Sequence, residues 1–169
     1  LRLPAPAVAA LPRVLSRVSR MFDLDTDVLA VAEALSTDPR LRRALKGRVI
    51  RVPGAFDPFE AGVRALLGQQ VSVAAARTLA GRVVRACGAP LAQPEGALTH
   101  VFPTPAAVAA APLETLGLTK ARAAALRGFA QAVASGTLDL GTFKDLDDAV
   151  QKLTALPGIG DWSAQYLAM

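Results

Sequence analysis

At 169 residues, the chain is long enough for one globular domain, or two small lobes, with a real core. Its formal charge of +5, its pI near 10.1 and its excess of Arg over Lys suit a polyanionic partner, although an Arg-rich solvated surface has the same composition. The single cysteine, Cys87, excludes a disulfide framework and an iron–sulfur cluster within these residues, and Arg, Asp or Pro breaks every apolar run before membrane-spanning length.

The segment Leu3–Leu15 is apolar but contains Pro4, Pro6 and Pro12 and has no basic leader, which makes a poor signal peptide. Helical stretches are expected at about 7–21, about 26–36 and 39–46, the third opened by Asp38-Pro39 and closed at Gly47. Arg48–Val52 alternates in character and is the only segment that reads as a strand. Asp57-Pro58 opens another helix, with Phe59, Val63, Leu66 and Leu67 on one face, until Gly68 and Gln69-Gln70 interrupt it. Ser72 then caps a long helix to Cys87, which lies on its apolar stripe, and Gly88 stops it. Residues 88–101 read as a Pro/Gly-containing loop. Thr104-Pro105 starts a short Ala-rich helix, Pro112 a shorter one, and Thr119 caps a helix ending near Gly136. Asp145, Asp147 and Asp148 put negative charge at the start of a helix running to Ala155, as the helix dipole favours. The sum is nine or ten short helices and an all-α class. A Leu at the start, and a last helix ending on Leu-Ala-Met without a cap, lead us to expect truncation at both ends.

The stretch Leu156-Pro-Gly-Ile-Gly-Asp-Trp162 joins two helices through a turn with two glycines. Such a turn leaves backbone N–H groups at a fresh helix N-terminus, where a phosphate fits without any cationic side chain. By itself the turn is short enough to be an ordinary helix connection. Trp162 and Tyr166 share a helix face at i, i+4 spacing, either as core aromatics or as walls of a stacking pocket. Gln69-Gln70 is either a satisfied helix junction or a tip presented to a ligand, and Lys120 and Arg122 are phosphate contacts or solvated surface. His100, alone in a loop, shows no metal-ligand or catalytic pattern.

Four segments in order carry a resemblance: Phe56-Asp-Pro-Phe-Glu-Ala-Gly-Val-Arg-Ala-Leu-Leu-Gly-Gln-Gln-Val-Ser72, Phe102-Pro-Thr-Pro105, Leu116-Gly-Leu-Thr-Lys-Ala-Arg-Ala123 and the terminal hairpin. From about Met21 to Met169 the chain resembles the helix-hairpin-helix DNA glycosylase superfamily, and within it the AlkA-like 3-methyladenine DNA glycosylase II enzymes. The resemblance implies a helix-hairpin-helix glycosylase fold in two lobes. Residues 1–55 would be N-terminal helices of the partner lobe, and 56–169 the central helical lobe ending in the hairpin 156–162, with the family's N-terminal β-rich domain largely absent. It implies a monofunctional N-glycosylase in base excision repair, a monomer in the cytoplasm and nucleoid, acting on double-stranded DNA that contains alkylated purines. No cofactor and no membrane partner are expected.

By position in the resemblance, Gly158, Gly160 and Ser163, with Lys120 and Arg122, would hold DNA phosphate, and Gln70 would be the wedge that enters the duplex. The backbone carbonyls of Thr154, Leu156 and Ile159 would hold a structural Na or K ion, Ile159 itself plugging the hairpin core. Trp162 stands where lyase-active relatives carry the Schiff-base Lys, and indole is no amine nucleophile. Its face would instead attract a cationic alkylated purine in a pocket shared with Tyr166. The catalytic Asp of the family is expected beyond Met169, since Asp145, Asp147, Asp148 and Asp161 do not match its position, so that the chain alone would be an inactive fragment. The alternatives are a non-catalytic helix-hairpin-helix module gripping backbone phosphates, or an α-helical domain with no DNA role.

Overall fold

A computed structural model describes residues 5–169, and side chains from residue 8 onward. Contacts divide the chain into two compact units, Leu1–Asp57 and Pro58–Met169. In the first, a 3-10 turn at Ala5–Ala10 leads into α1 (Leu11–Met21), followed by α2 (Val28–Leu35) and α3 (Pro39–Leu45). The caps are those that the residue types dictate. Asp27 accepts the amides of Leu29 and Ala30 at 3.1 Å each, and Asp38 accepts that of Arg40 at 2.6 Å.

The strand expected at Arg48–Val52 does not form. The segment runs without a sheet partner, tied instead to the loop after α1: Val52 N donates to Asp23 Oδ2 at 3.0 Å, and Arg51 Nη1 to the Asp23 carbonyl. Bonds from the Thr26 hydroxyl and the Val52 amide hold the Asp23 carboxyl below its ordinary range. Alternation marks a strand only where a second strand exists to pair with it.

The second unit holds α4 (Pro58–Gly68), α5 (Val73–Cys87), a hairpin of β1 (Pro90–Glu95) and β2 (Leu98–His100), then α6 (Pro105–Ala110) and a 3-10 turn at Leu113–Leu116. It ends with α7 (Lys120–Ala134), α8 (Leu146–Thr154) and α9 (Asp161–Ala168). The hairpin occupies the segment expected to be a loop, with Gly96 at φ +58 in its turn, a left-handed conformation that glycine takes without strain. Nine α-helices among the described residues make the class all-α as expected, with a two-stranded ornament.

Every fully buried large side chain described lies in this second unit, around Phe129 of α7. Phe129 stacks on Phe59 with ring centroids 5.6 Å apart and planes 9° from parallel, flanked by Leu66, Leu126 and Leu153. Gly62 lets this ring approach α4, since a Cβ there would stand 2.3 Å from Phe129 Cζ. The Cys87 thiol packs partly buried against the same core, and burial pushes its pKa up, the reverse of a reactive thiolate.

Candidate nucleic-acid interface

The turn between α8 and α9 is seated on α7. Leu153 and Ile159, both buried, anchor its two sides. Gly158 lies at φ +84, and a Cβ there would stand 2.4 Å from Ala125 Cβ, so both backbone conformation and close approach demand glycine. Gly160 is the N-cap of α9, has no side-chain capping bond, and faces open space. The first amides of α9 therefore have neither an intrahelical acceptor nor a capping side chain, and with the helix dipole behind them they make an end of the kind that suits an anion. The Leu156 carbonyl accepts the Ile159 amide at 3.2 Å, which closes the turn. Oxygen-only donors at Thr154, Leu156 and Ile159 suit a hard cation, since backbone carbonyls are the ligands such ions take.

Two residues beyond Gly160, Trp162 is 73% exposed and Tyr166 is 50% exposed. They are not core aromatics. Their rings stack on one another, centroids 5.6 Å apart and planes 6° from parallel. A base held between them needs about 7 Å, twice an ordinary contact distance, so the pair as it stands offers an outer face rather than a slot. Asp161 accepts Gln165 Nε2 at 3.0 Å along the same helix.

Gln70 follows α4 as an exposed residue with φ +54, in the left-handed region that non-glycine residues seldom adopt. Lys120 is exposed at the start of α7, whose N-cap Thr119 accepts the Arg122 amide at 3.3 Å. Arg122 is half-buried, and its Nη2 donates to the carbonyl of Gln69 at 2.6 Å. Ser163 turns inward: it is 5% exposed, and its hydroxyl oxygen accepts Gln69 Nε2 at 3.1 Å, so the hydroxyl is not held out to solvent as expected for a phosphate contact. The same Nε2 lies 3.1 Å from the Gly158 carbonyl. Gln69, to which sequence reasoning assigned no role of its own, thus joins the Gln70 turn to the hairpin. Its acceptors lie 89 and 94 residues away, beyond the reach of any local pattern. His100 lies on β2, its Nδ1 2.8 Å from Thr99 Oγ1.

Residues 63–161, more than half of the chain, match the HhH-GPD superfamily of base excision DNA repair proteins. The chain belongs to that superfamily. Residues 1–57 match the AlkA N-terminal domain, a stretch we expected to be helices of the partner lobe. The chain is 43% identical over 159 residues to DNA-3-methyladenine glycosylase 2 of Escherichia coli, covering 92% of this chain and 54% of that protein. It is 41% identical over 155 residues to a probable bifunctional transcriptional activator/DNA repair enzyme AlkA of Mycobacterium tuberculosis, covering 91% of this chain and 31% of that one. The chain thus spans about half or less of these relatives. The structure of a 3-methyladenine DNA-glycosylase from Archaeoglobus fulgidus superposes with a TM-score of 0.71 at 22% identity, over 98% of this chain and 56% of that one, which shows a shared fold. No helix among the described residues is long and apolar enough to cross a membrane.

Proposed function

We propose that these residues form the DNA-gripping and base-stacking part of a monofunctional N-glycosylase for alkylated purines in base excision repair. The observation that carries the reading is the exposed Trp162–Tyr166 stack on the helix that begins at the open hairpin amides. The amides of Gly158 and Gly160 take a backbone phosphate and fix the register of the duplex without reading bases. Lys120 and the remaining donors of Arg122 add charge alongside, and Gln70 enters the duplex where a nucleotide has left the stack. An Na or K ion on the carbonyls of Thr154, Leu156 and Ile159 would stiffen the turn. The flipped purine then lies on the indole face, whose electron density favours the positive charge left by alkylation. Without an amine at position 162, no Schiff base forms there and the backbone is not cleaved through it.

Base loss also needs a carboxylate, and three of those before or at the hairpin have other partners. Asp145 caps α8 through the Asp148 amide at 2.8 Å, Asp148 pairs with Lys152 at 2.8 Å, and Asp161 holds Gln165. We assign that role to the Asp that the family resemblance places after Met169. The whole protein is proposed to act as a monomer on nucleoid DNA in the cytoplasm.

The decisive experiment measures affinity for two duplexes over a salt series. One is intact; the other carries a single 7-methylguanine on a 2′-fluoro sugar, cationic but resistant to base loss. Tighter binding of the lesion, abolished by Trp162→Ala while intact-duplex binding and its salt slope persist, supports the reading. Equal affinity for both duplexes reduces the protein to a phosphate-gripping module, and no salt-dependent binding at all removes DNA from its function.

A further inference from the structure

We propose that Gln69 is a positioning residue, a strut that sets the Gln70 turn against the phosphate-binding hairpin; the inference rests on the reading of those two elements given above. Gln69 is half-buried where α4 ends, and it is held from both sides. Its carbonyl accepts Arg122 Nη2 at 2.6 Å, and its Nε2 donates to the Gly158 carbonyl and to Ser163 Oγ, each at 3.1 Å. A carbonyl oxygen only accepts, so the group facing Gly158 must be the amide NH2, which fixes the orientation of the side chain.

The consequences run in two directions. Toward the wedge, Gln70 sits at φ +54, a conformation that persists in a non-glycine residue only where neighbours impose it. The residue immediately before it is the one clamped by Arg122 and the hairpin. Toward the hairpin, the peptide joining Gly158 to Ile159 is pinned at both ends. Its carbonyl is held by Gln69, and its N–H is held by the Leu156 carbonyl at 3.2 Å. One side chain therefore orients the peptide just before the open amides and the turn that enters the duplex. The geometry also accounts for the inward aim of Arg122 and Ser163, which act here through Gln69.

Removing the strut leaves each half with its own supports, Ile159 and the Gly158–Ala125 contact for the hairpin and Arg122 for the turn. What is lost is the fixed relation between them. Nonspecific grip then survives, while insertion at a gap in the duplex suffers.

The test uses the 169-residue chain, an intact duplex, and a duplex with a tetrahydrofuran abasic-site analogue opposite 2-aminopurine. Gln69→Met keeps length and bulk but has no donor. We expect it to bind intact duplex with wild-type affinity and salt slope. Its preference for the gapped duplex should fall at least about fivefold, the lower limit that the loss of two ordinary hydrogen bonds implies, with a parallel loss of the 2-aminopurine fluorescence change. The variant Gln69→Met/Gln70→Ala should be no worse than Gln70→Ala alone, because both act through one wedge. Ser163→Ala, which removes one of the two acceptors, gives a milder form of the same signature if Gln69→Met folds poorly. Retention of the wild-type preference by Gln69→Met overturns the proposal, as does an equal loss on intact duplex, or additivity of the two substitutions. A wild-type chain that shows neither preference nor fluorescence change overturns the wedge-and-hairpin reading itself, and the strut with it.

Discussion

Replacing Gly158 by Ala separates the folding of the hairpin from its use. At φ +84 an L-residue is in the left-handed region, which costs about 1–2 kcal/mol. The new Cβ would also stand 2.4 Å from Ala125 Cβ on α7, and relieving such an overlap in a packed interior costs about 1–3 kcal/mol. The two together come to about 2–5 kcal/mol. At about 2–4 °C per kcal/mol for a chain of this size, the melting point should drop by about 4–20 °C. Gly160→Ala is the counterpart. Gly160 has φ −84 with nothing within 4 Å of a built Cβ, so its replacement should cost only the preference of an N-cap for Gly over Ala, about 1 kcal/mol or less. Its methyl group nevertheless stands at the amides proposed to hold phosphate, so duplex affinity should fall. Urea unfolding followed by far-UV circular dichroism reads the whole chain, and fluorescence of Trp162, the only tryptophan, reads the hairpin. Adding Ala125→Gly to Gly158→Ala should return the steric share, less about 1 kcal/mol for a glycine inside α7, and not the backbone share. An unchanged unfolding midpoint for Gly158→Ala, or equal destabilisation by both glycine substitutions, would refute this account of the seat.

Trp162→Ala should change the unfolding free energy by less than about 1 kcal/mol, because the indole is 73% exposed; a larger loss in urea titration would return it to the core. Phe129→Ala, in contrast, empties the centre of the second unit and should cost about 3–5 kcal/mol by the same titration. Bonds from the Arg127 guanidinium hold the Glu114 carboxyl at about 2, against an ordinary 4.5. A folded pKa below the unfolded one makes this pair stabilising above 4.5, and the contribution is lost as pH falls towards 2. Glu114→Gln should therefore be slightly less stable than wild type at neutral pH, with the two stability curves converging in acid; parallel curves from pH 7 to 2 would contradict the pairing.

Local chemistry made most of the helices legible. Ser72, Thr104, Thr119 and Asp145 each precede a helix and accept the amide three residues on, because a short side-chain oxygen at an N-cap has that amide within reach. The strands were not legible. Arg48–Val52 has the alternation and lacks a partner, whereas Pro90–Glu95 carries two prolines and still pairs with Leu98–His100, in an irregular register around a Gly96 turn. At the site, glycine spacing marked the hairpin and i, i+4 spacing marked the aromatic pair. Whether that pair was core or surface depended on what α9 packs against, which only the folded chain shows. Gln69 lay further out of reach, since an interrupted helix face announces that something polar is needed and not which distant carbonyl needs it.

The proposed division of labour between hairpin and aromatic pair follows from a conflict of charge. A chain with net charge +5 that binds phosphates repels a cationic base as well, so attraction for the alkylated purine has to be generated locally. One carboxylate already stands beside the amides, that of Asp161, which accepts Gln165 Nε2; a second one there would attract the base and also repel the phosphate that the amides hold. A ring quadrupole has no net charge and acts only over its own face, within about 6 Å of its centroid. Placing Trp162 two residues after Gly160, with Tyr166 stacked beneath it, therefore puts base attraction next to phosphate attraction without cancelling either. Substituting Glu for Tyr166 tests the conflict directly: if it is real, Tyr166→Glu weakens binding of intact duplex, most at low salt, whereas Tyr166→Gln does not.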